Sequence, residues 1–62
     1  MYVLTDTPEI GDETCYLNQS CLGSMSCGSL DMAWSTDSEL EAIGMERLAY
    51  ERGRKTLYVN EI

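Results

Sequence analysis

Apolar and polar residues alternate in four short stretches of the chain, and these stretches are rich in β-branched and aromatic residues. They are residues 2–5, 14–17, 30–34 and 55–60. Period-two alternation of this kind predicts strands. Pro8 and Gly11 indicate a loop at 6–13, and the Ser- and Gly-rich residues 20–29 indicate a long hairpin loop or a weak strand pair.

A helix is predicted from about residue 36 to residue 53. Thr36 is a good N-cap, and Glu39 three residues later completes a capping box with it. Acidic residues occupy the first turns and basic residues the last, as the helix dipole favours. Gly53 is suited to closing the helix.

The predicted helix carries two separated apolar strips. One strip is formed by Leu40, Ile43 and Tyr50, and the other by Ala42, Met45, Leu48 and Ala49. Two strips indicate a helix that lies on a sheet with one flank available to another molecule. The alternative is that both strips are core in a domain too small to separate them cleanly.

The element order β-β-β-α-β predicts an α+β fold. We expect a three- to four-stranded, mainly antiparallel sheet with the helix packed on one face, in a single small domain spanning 1–62. One helix covers one face only. The other face must therefore be polar or covered by a partner.

The charge is unevenly distributed. The 62 residues carry a formal net charge of −7, yet residues 1–46 hold nine acidic residues and no lysine or arginine. Residues 47–62 hold four basic residues against two acidic ones. This acidity argues against direct binding to nucleic acid, which requires a surplus of Lys and Arg.

Three cysteines, Cys15, Cys21 and Cys27, recur every six residues. An odd number cannot form a closed set of disulfides, and a reducing compartment keeps thiols free. We therefore expect free cysteines. The sequence has no CxxC pair and no histidine, so these three residues are weak candidates for zinc ligands. A small cysteine-based zinc or redox module is therefore only an alternative.

Catalytic motifs are missing. With no histidine, a cysteine nucleophile has no imidazole base, and the glycines at 23 and 28 lack the lysine of a phosphate-binding loop. We expect neither an enzyme nor a cofactor. There is no apolar run of about 20 residues and no signal peptide at the N-terminus, so we expect no membrane contact and a cytoplasmic location.

These exclusions leave a non-enzymatic interaction protein. In size, charge and architecture the chain resembles phage-encoded inhibitors, including some anti-CRISPR proteins and inhibitors of host polymerase or nuclease. That resemblance implies a larger, basic protein partner whose nucleic-acid-binding surface is blocked. A homodimeric structural or assembly subunit is a further alternative.

The predicted contacts follow from this hypothesis. They are Asp31, Asp37, Glu39, Glu41, Glu46 and Tyr50, around the start and the polar face of the helix. Tyr16 and Tyr58 are further candidate anchors, because aromatic residues contribute much of the energy of protein interfaces.

Overall fold

The computed structural model describes residues 1–19, 24–27, 30–53 and 56–62, which form strands and a helix in the order β-β-β-β-α-β. The elements are β1 (Tyr2–Thr5), β2 (Cys15–Leu17), β3 (Met25–Cys27), β4 (Ser35–Thr36), α1 (Glu39–Gly53) and β5 (Tyr58–Glu61). The predicted α+β class, with a mainly antiparallel sheet and one helix, is confirmed. The sheet has one strand more than the largest number expected.

Strand β1 organises the sheet. It pairs antiparallel with β5 along its full length, from Tyr2↔Glu61 to Thr5↔Tyr58. Its other edge is shared by β4, opposite Tyr2 and Val3, and by β2, opposite Thr5. Strand β3 continues the sheet beyond β2. Because one strand bonds to three others, the sheet curls around it.

The main core lies between this sheet and the helix. Leu4, Leu17 and Leu57 form a buried cluster from β1, β2 and the residue before β5. Met45 and Ala49 of α1 pack against it, as do the half-buried Met25, Trp34 and Val59. Burying a leucine side chain contributes roughly 1.5–3 kcal/mol, so a few such residues carry much of the stability of a chain this small.

The face of β1 opposite the helix is covered by the chain itself. Val3 is fully buried there, in a cluster with Tyr16 and Ala33. The sequence predicts that this face is polar or covered by a partner. At Val3 the face is neither polar nor left to a partner, because Tyr16 and Ala33 of the same chain pack beside it.

Hydrogen bonds between polar side chains hold the 6–13 loop against this face. Asn60 Nδ2 donates to the buried Thr5 Oγ1 at 2.7 Å, and Thr5 Oγ1 donates to the carbonyl oxygen of Thr7 at 2.6 Å. The Thr7 and Thr14 hydroxyls lie 3.1 Å apart, and Thr14 Oγ1 accepts from Gly11 N at 2.7 Å. Among the described residues, no buried side-chain nitrogen or oxygen lacks a partner.

The helix begins later than predicted. Thr36 lies in β4 and is buried, and Ser38 is the N-cap instead: Ser38 Oγ accepts from Glu41 N at 3.3 Å. The first backbone bond of the helix runs from Ala42 N to the Ser38 carbonyl oxygen. Ser38 and Glu41 repeat the Ser/Thr-x-x-Glu pattern two residues further on, so the sequence alone does not separate the two starts.

The two apolar strips of the helix have different environments. Ala42, Met45 and Ala49 face the sheet, whereas Leu40 is 82% exposed and Tyr50 48% exposed. The alternative that both strips are core is therefore wrong. One flank of α1 is available to another molecule.

The strand predicted at 30–34 is also wrong. Residues 30–32 form a tight turn, closed by Ala33 N donating to the Leu30 carbonyl oxygen, and the strand follows at Ser35–Thr36. The turn is held against the end of β2 by Gln19 N donating to the Met32 carbonyl oxygen at 2.8 Å. Of the predicted strand, only Ala33 and Trp34 pair with the end of β2, through the Asn18↔Ala33 bridge and a hydrogen bond from Trp34 N to the Leu17 carbonyl oxygen.

The segment at 20–29, predicted as a long hairpin loop or a weak strand pair, contains the strand β3, which pairs with β2 outside that segment. Residues 20–23 and 28–29 lie outside the described residues, as do the basic residues Arg54 and Lys55. In the described parts of the chain, no helix has the length and apolar character needed to cross a membrane.

The expectation of free cysteines is wrong for two of the three. Cys15 and Cys27 lie directly opposite each other on β2 and β3 and form a disulfide bond, 12 residues apart in sequence. Neither is available as a thiolate ligand. Cys21 lies outside the described residues. The pairing follows from the β2–β3 register, which the spacing of the cysteines does not reveal.

We predict that reduction of the Cys15–Cys27 bond lowers the free energy of unfolding by about 3 kcal/mol, because a cross-link closing a loop of roughly this length restricts the unfolded chain. Urea unfolding with and without reductant measures the change, and Cys21→Ser is the control that retains the bond. Equal stability of the oxidised and reduced forms would contradict the assigned pairing.

Candidate partner-binding groove

An open groove lies where the two terminal strands meet the start of the helix. Tyr2, Glu39, Ile43, Val59 and Glu61 line it, and its volume is about 350 Å³. Ile43 and Val59 are half-buried, whereas Glu39 and Glu61 are exposed. The groove therefore has an apolar floor and a rim with two carboxylates.

The register of β1 with β5 positions the sheet side of the groove. Tyr2 lies directly opposite Glu61, and Leu4 lies directly opposite Val59. Since side chains alternate between faces along a strand, these four point to the face that carries the helix. The Leu4 side chain is buried in the core beneath the groove, and the side chains of Tyr2, Val59 and Glu61 line the groove.

The first turns of α1 supply the other side. Ser38 caps the helix and fixes Glu39 as its first residue. Ile43 follows four residues later and therefore lies on the same side of the helix, about one turn further along. The helix start, and not the helix middle, thus faces the end of the β1–β5 pair.

The two carboxylates act on the phenol of Tyr2. Its pKa is raised above the ordinary value of 10.0, mainly by the negative charge of Glu61 and also by desolvation and by Glu39. The negative charge of both carboxylates disfavours the phenolate and so favours the protonated phenol. At neutral pH Tyr2 is therefore a neutral hydrogen-bond donor and not an activated nucleophile.

This arrangement suits binding of a cation. Two carboxylates and the π-face of a tyrosine all attract positive charge, and the apolar floor accepts the hydrocarbon part of a ligand. The same carboxylates repel phosphate groups. Among the described residues there is no group of three or more His, Cys, Asp or Glu side chains placed to hold a metal ion.

The structure brings together only part of the predicted contact set. Glu39, Glu46 and Tyr50 share one side of α1 with Ile43, because their spacing of three and four residues matches the helical repeat. Glu41 is two residues from Glu39 and lies on a different side, about 200° around the axis. Of the predicted contacts, Glu39 alone lines the groove.

The other predicted contacts lie apart from the groove lining. Asp37 precedes the helix cap and is exposed, and Asp31 is exposed in the turn at 30–32. Tyr16 is 5% exposed and belongs to the cluster on the opposite face, so it is wrong as an interface anchor. Tyr58 is 38% exposed at the far end of β5 from Glu61.

Four lining residues were missed by sequence reasoning: Tyr2, Ile43, Val59 and Glu61. Tyr2 and Glu61 lie 59 positions apart, and only the antiparallel pairing of β1 with β5 places them side by side. The sequence predicts both strands but offers no signal for their register. Ile43 appears in the exposed apolar strip, which is the one sequence feature that points to this region.

Comparison with known proteins identifies no relative of this chain. No family model matches the sequence, and no curated protein or solved structure gives a significant match.

We predict that Glu61→Gln lowers the pKa of Tyr2 towards 10.0, because it removes the largest cause of the raised value. Glu41→Gln, on another side of the helix, is the matched control and leaves the Tyr2 pKa unchanged. NMR titration of the tyrosine ring signals measures both.

Because the raised pKa favours the folded state with a neutral phenol, the associated stability is present below pH 10 and is lost as the pH rises through the pKa of folded Tyr2. An unchanged pKa in Glu61→Gln would show that Tyr2 and Glu61 do not interact.

Proposed function

We propose that this protein is a non-enzymatic binding module that docks its acidic surface on a basic surface of a larger protein. The most concrete form of the proposal is an inhibitor of the phage-encoded type, comparable to an anti-CRISPR protein or an inhibitor of host polymerase or nuclease. Such an inhibitor covers a surface that otherwise binds nucleic acid. The observation that carries the proposal is an exposed apolar helix flank beside the acidic groove.

The acidic side chains are available for such contacts. All of them are exposed apart from the half-buried Glu46. Asp37, Glu39 and Glu41 surround the start of α1, and Glu61 adds a further carboxylate from β5. Complementary charge on a partner speeds association and discourages wrong partners.

The helix flank supplies apolar contact area. Leu40 is 82% exposed at the second position of α1, and Tyr50 is 48% exposed further along it. The fold buries little of this leucine side chain, so most of its apolar surface is available for contact with a partner. Apolar anchors inside a polar or charged rim are typical of protein interfaces, and tyrosine is frequent among the residues that contribute most to binding.

A binding role also fits the chemistry of the groove better than catalysis does. The Tyr2 hydroxyl in the groove has a pKa raised above its ordinary value, which disfavours the nucleophilic phenolate. Its two carboxylates, those of Glu61 and Glu39, both raise the pKa of that phenol. The groove is therefore suited to binding a cationic group and not to transferring a proton at neutral pH.

The sequence predicts a cytoplasmic location, and the Cys15–Cys27 bond weighs against it, since disulfides persist mainly in oxidising compartments. The proposed interaction depends on charge and shape and operates in either compartment. Alkylation of free thiols in the producing cell, followed by mass spectrometry, distinguishes them: labelled Cys15 and Cys27 indicate the cytoplasm.

We expect a basic protein to be captured from host lysate at low salt and released at high salt. Once identified and purified, that partner binds with an affinity that falls steadily with ionic strength, and the partner's nucleic acid competes for binding. Neutralising the helix start in Asp37→Asn/Glu39→Gln/Glu41→Gln weakens binding by about tenfold or more.

Asp12→Asn/Glu13→Gln, in the loop at 6–13, is the control for general acidity and changes the affinity much less. An affinity that is unaffected by salt would contradict the electrostatic docking. A concentration-dependent mass in light scattering, without any captured partner, would favour the homodimeric assembly subunit instead.

A further inference from the structure

We propose that the groove lined by Tyr2, Glu39, Ile43, Val59 and Glu61 binds the side chain of one arginine presented by the partner. This inference rests on the proposed function, since it names the anchor of the docking surface. It assigns a ligand chemistry to residues that come from three different elements, β1, β5 and α1.

The shape of the groove suits one extended side chain. Its volume of about 350 Å³ lies at the lower end of the range for ligand sites, roughly 300–1,000 Å³. It is open to solvent, so a side chain that projects from a folded partner reaches it without any rearrangement. The hydrocarbon stem of the arginine lies on Ile43 and Val59, which are the half-buried residues of the lining.

The charges of the groove select a cation at the rim. Glu39 approaches from the helix and Glu61 from the sheet, and both are close enough to Tyr2 to affect its ionisation. A guanidinium between them bonds to two carboxylates at once through its planar set of N–H groups. The Tyr2 ring adds a π-face, on which guanidinium stacks better than ammonium does.

Other ligands fit less well. An anionic ligand such as a nucleotide meets two carboxylates at the rim. A purely apolar ligand leaves those two negative charges close together without compensation. Lysine offers a single compact charge that pairs with one carboxylate well and with both only poorly, so we expect it to bind more weakly than arginine.

The test uses N-acetyl-arginine amide as the probe and N-acetyl-citrulline amide as its neutral analogue of similar shape. Titration of the ¹⁵N-labelled protein, followed by NMR, is expected to shift the amide signals of the five lining residues with the arginine probe. The citrulline analogue leaves them in place. The variant Glu39→Gln/Glu61→Gln weakens arginine binding by about fivefold or more, since each exposed ion pair contributes a modest amount.

Asp12→Asn/Glu13→Gln removes the same number of charges outside the groove lining and retains the affinity for the probe. Because all four acidic side chains are exposed, the variants keep the fold, which their NMR spectra verify directly. Arginine-induced shifts spread evenly over the acidic loop at 6–13, or equal weakening in both double variants, would overturn the assignment.

The outcomes separate this inference from the proposed function. A salt-sensitive partner whose affinity is unchanged by Glu39→Gln/Glu61→Gln overturns the arginine site and leaves the docking proposal standing. Localised arginine binding without any basic partner supports the site and removes the proposed function.

Discussion

The antiparallel pairing of β1 with β5 is the interaction on which this structure depends. It joins residues 2–5 to residues 58–61 and so brings together segments from opposite ends of the sequence. It places Leu4 beside Val59 under the helix, which completes the core with Leu17 and Leu57. It also brings the Asn60 side chain within hydrogen-bonding distance of the buried Thr5, whose hydroxyl bonds to the 6–13 loop. The core, the loop and the groove all follow from this one register.

The sequence predicts local structure here better than it predicts contacts between distant segments. Strand β1, the approximate extent of the helix and the loop at 6–13 follow from alternation, helical charge pattern and turn residues. The N-cap at Ser38 is missed because Thr36 offers an equivalent local signal, and the turn at 30–32 is missed because the alternation of Leu30, Met32 and Trp34 resembles that of a strand. The disulfide and the groove are missed for a different reason: both depend on strand register, which period-two patterns leave open.

The groove brings two like charges to one tyrosine. Glu39 lies at the helix N-terminus, where a negative charge is favourable, and Glu61 lies opposite Tyr2 on the neighbouring strand. Both carboxylates raise the pKa of Tyr2. Leu40, the residue after Glu39, is exposed beside these charges, and this combination is the basis of the proposed docking on a cationic partner. The chain as a whole carries a net charge of −7, and within it the groove is a local feature that consists of two carboxylates, a phenol and an apolar floor.

The most direct test of this account is the pKa of Tyr2 measured by NMR with and without saturating N-acetyl-arginine amide, which stays positively charged throughout the titration. A guanidinium bound between Glu39 and Glu61 favours the phenolate and offsets the charges that raise the Tyr2 pKa. We therefore expect the pKa of Tyr2 to fall towards 10.0 with the arginine probe and to stay unchanged with N-acetyl-citrulline amide at the same concentration. An identical Tyr2 pKa in both solutions would contradict it.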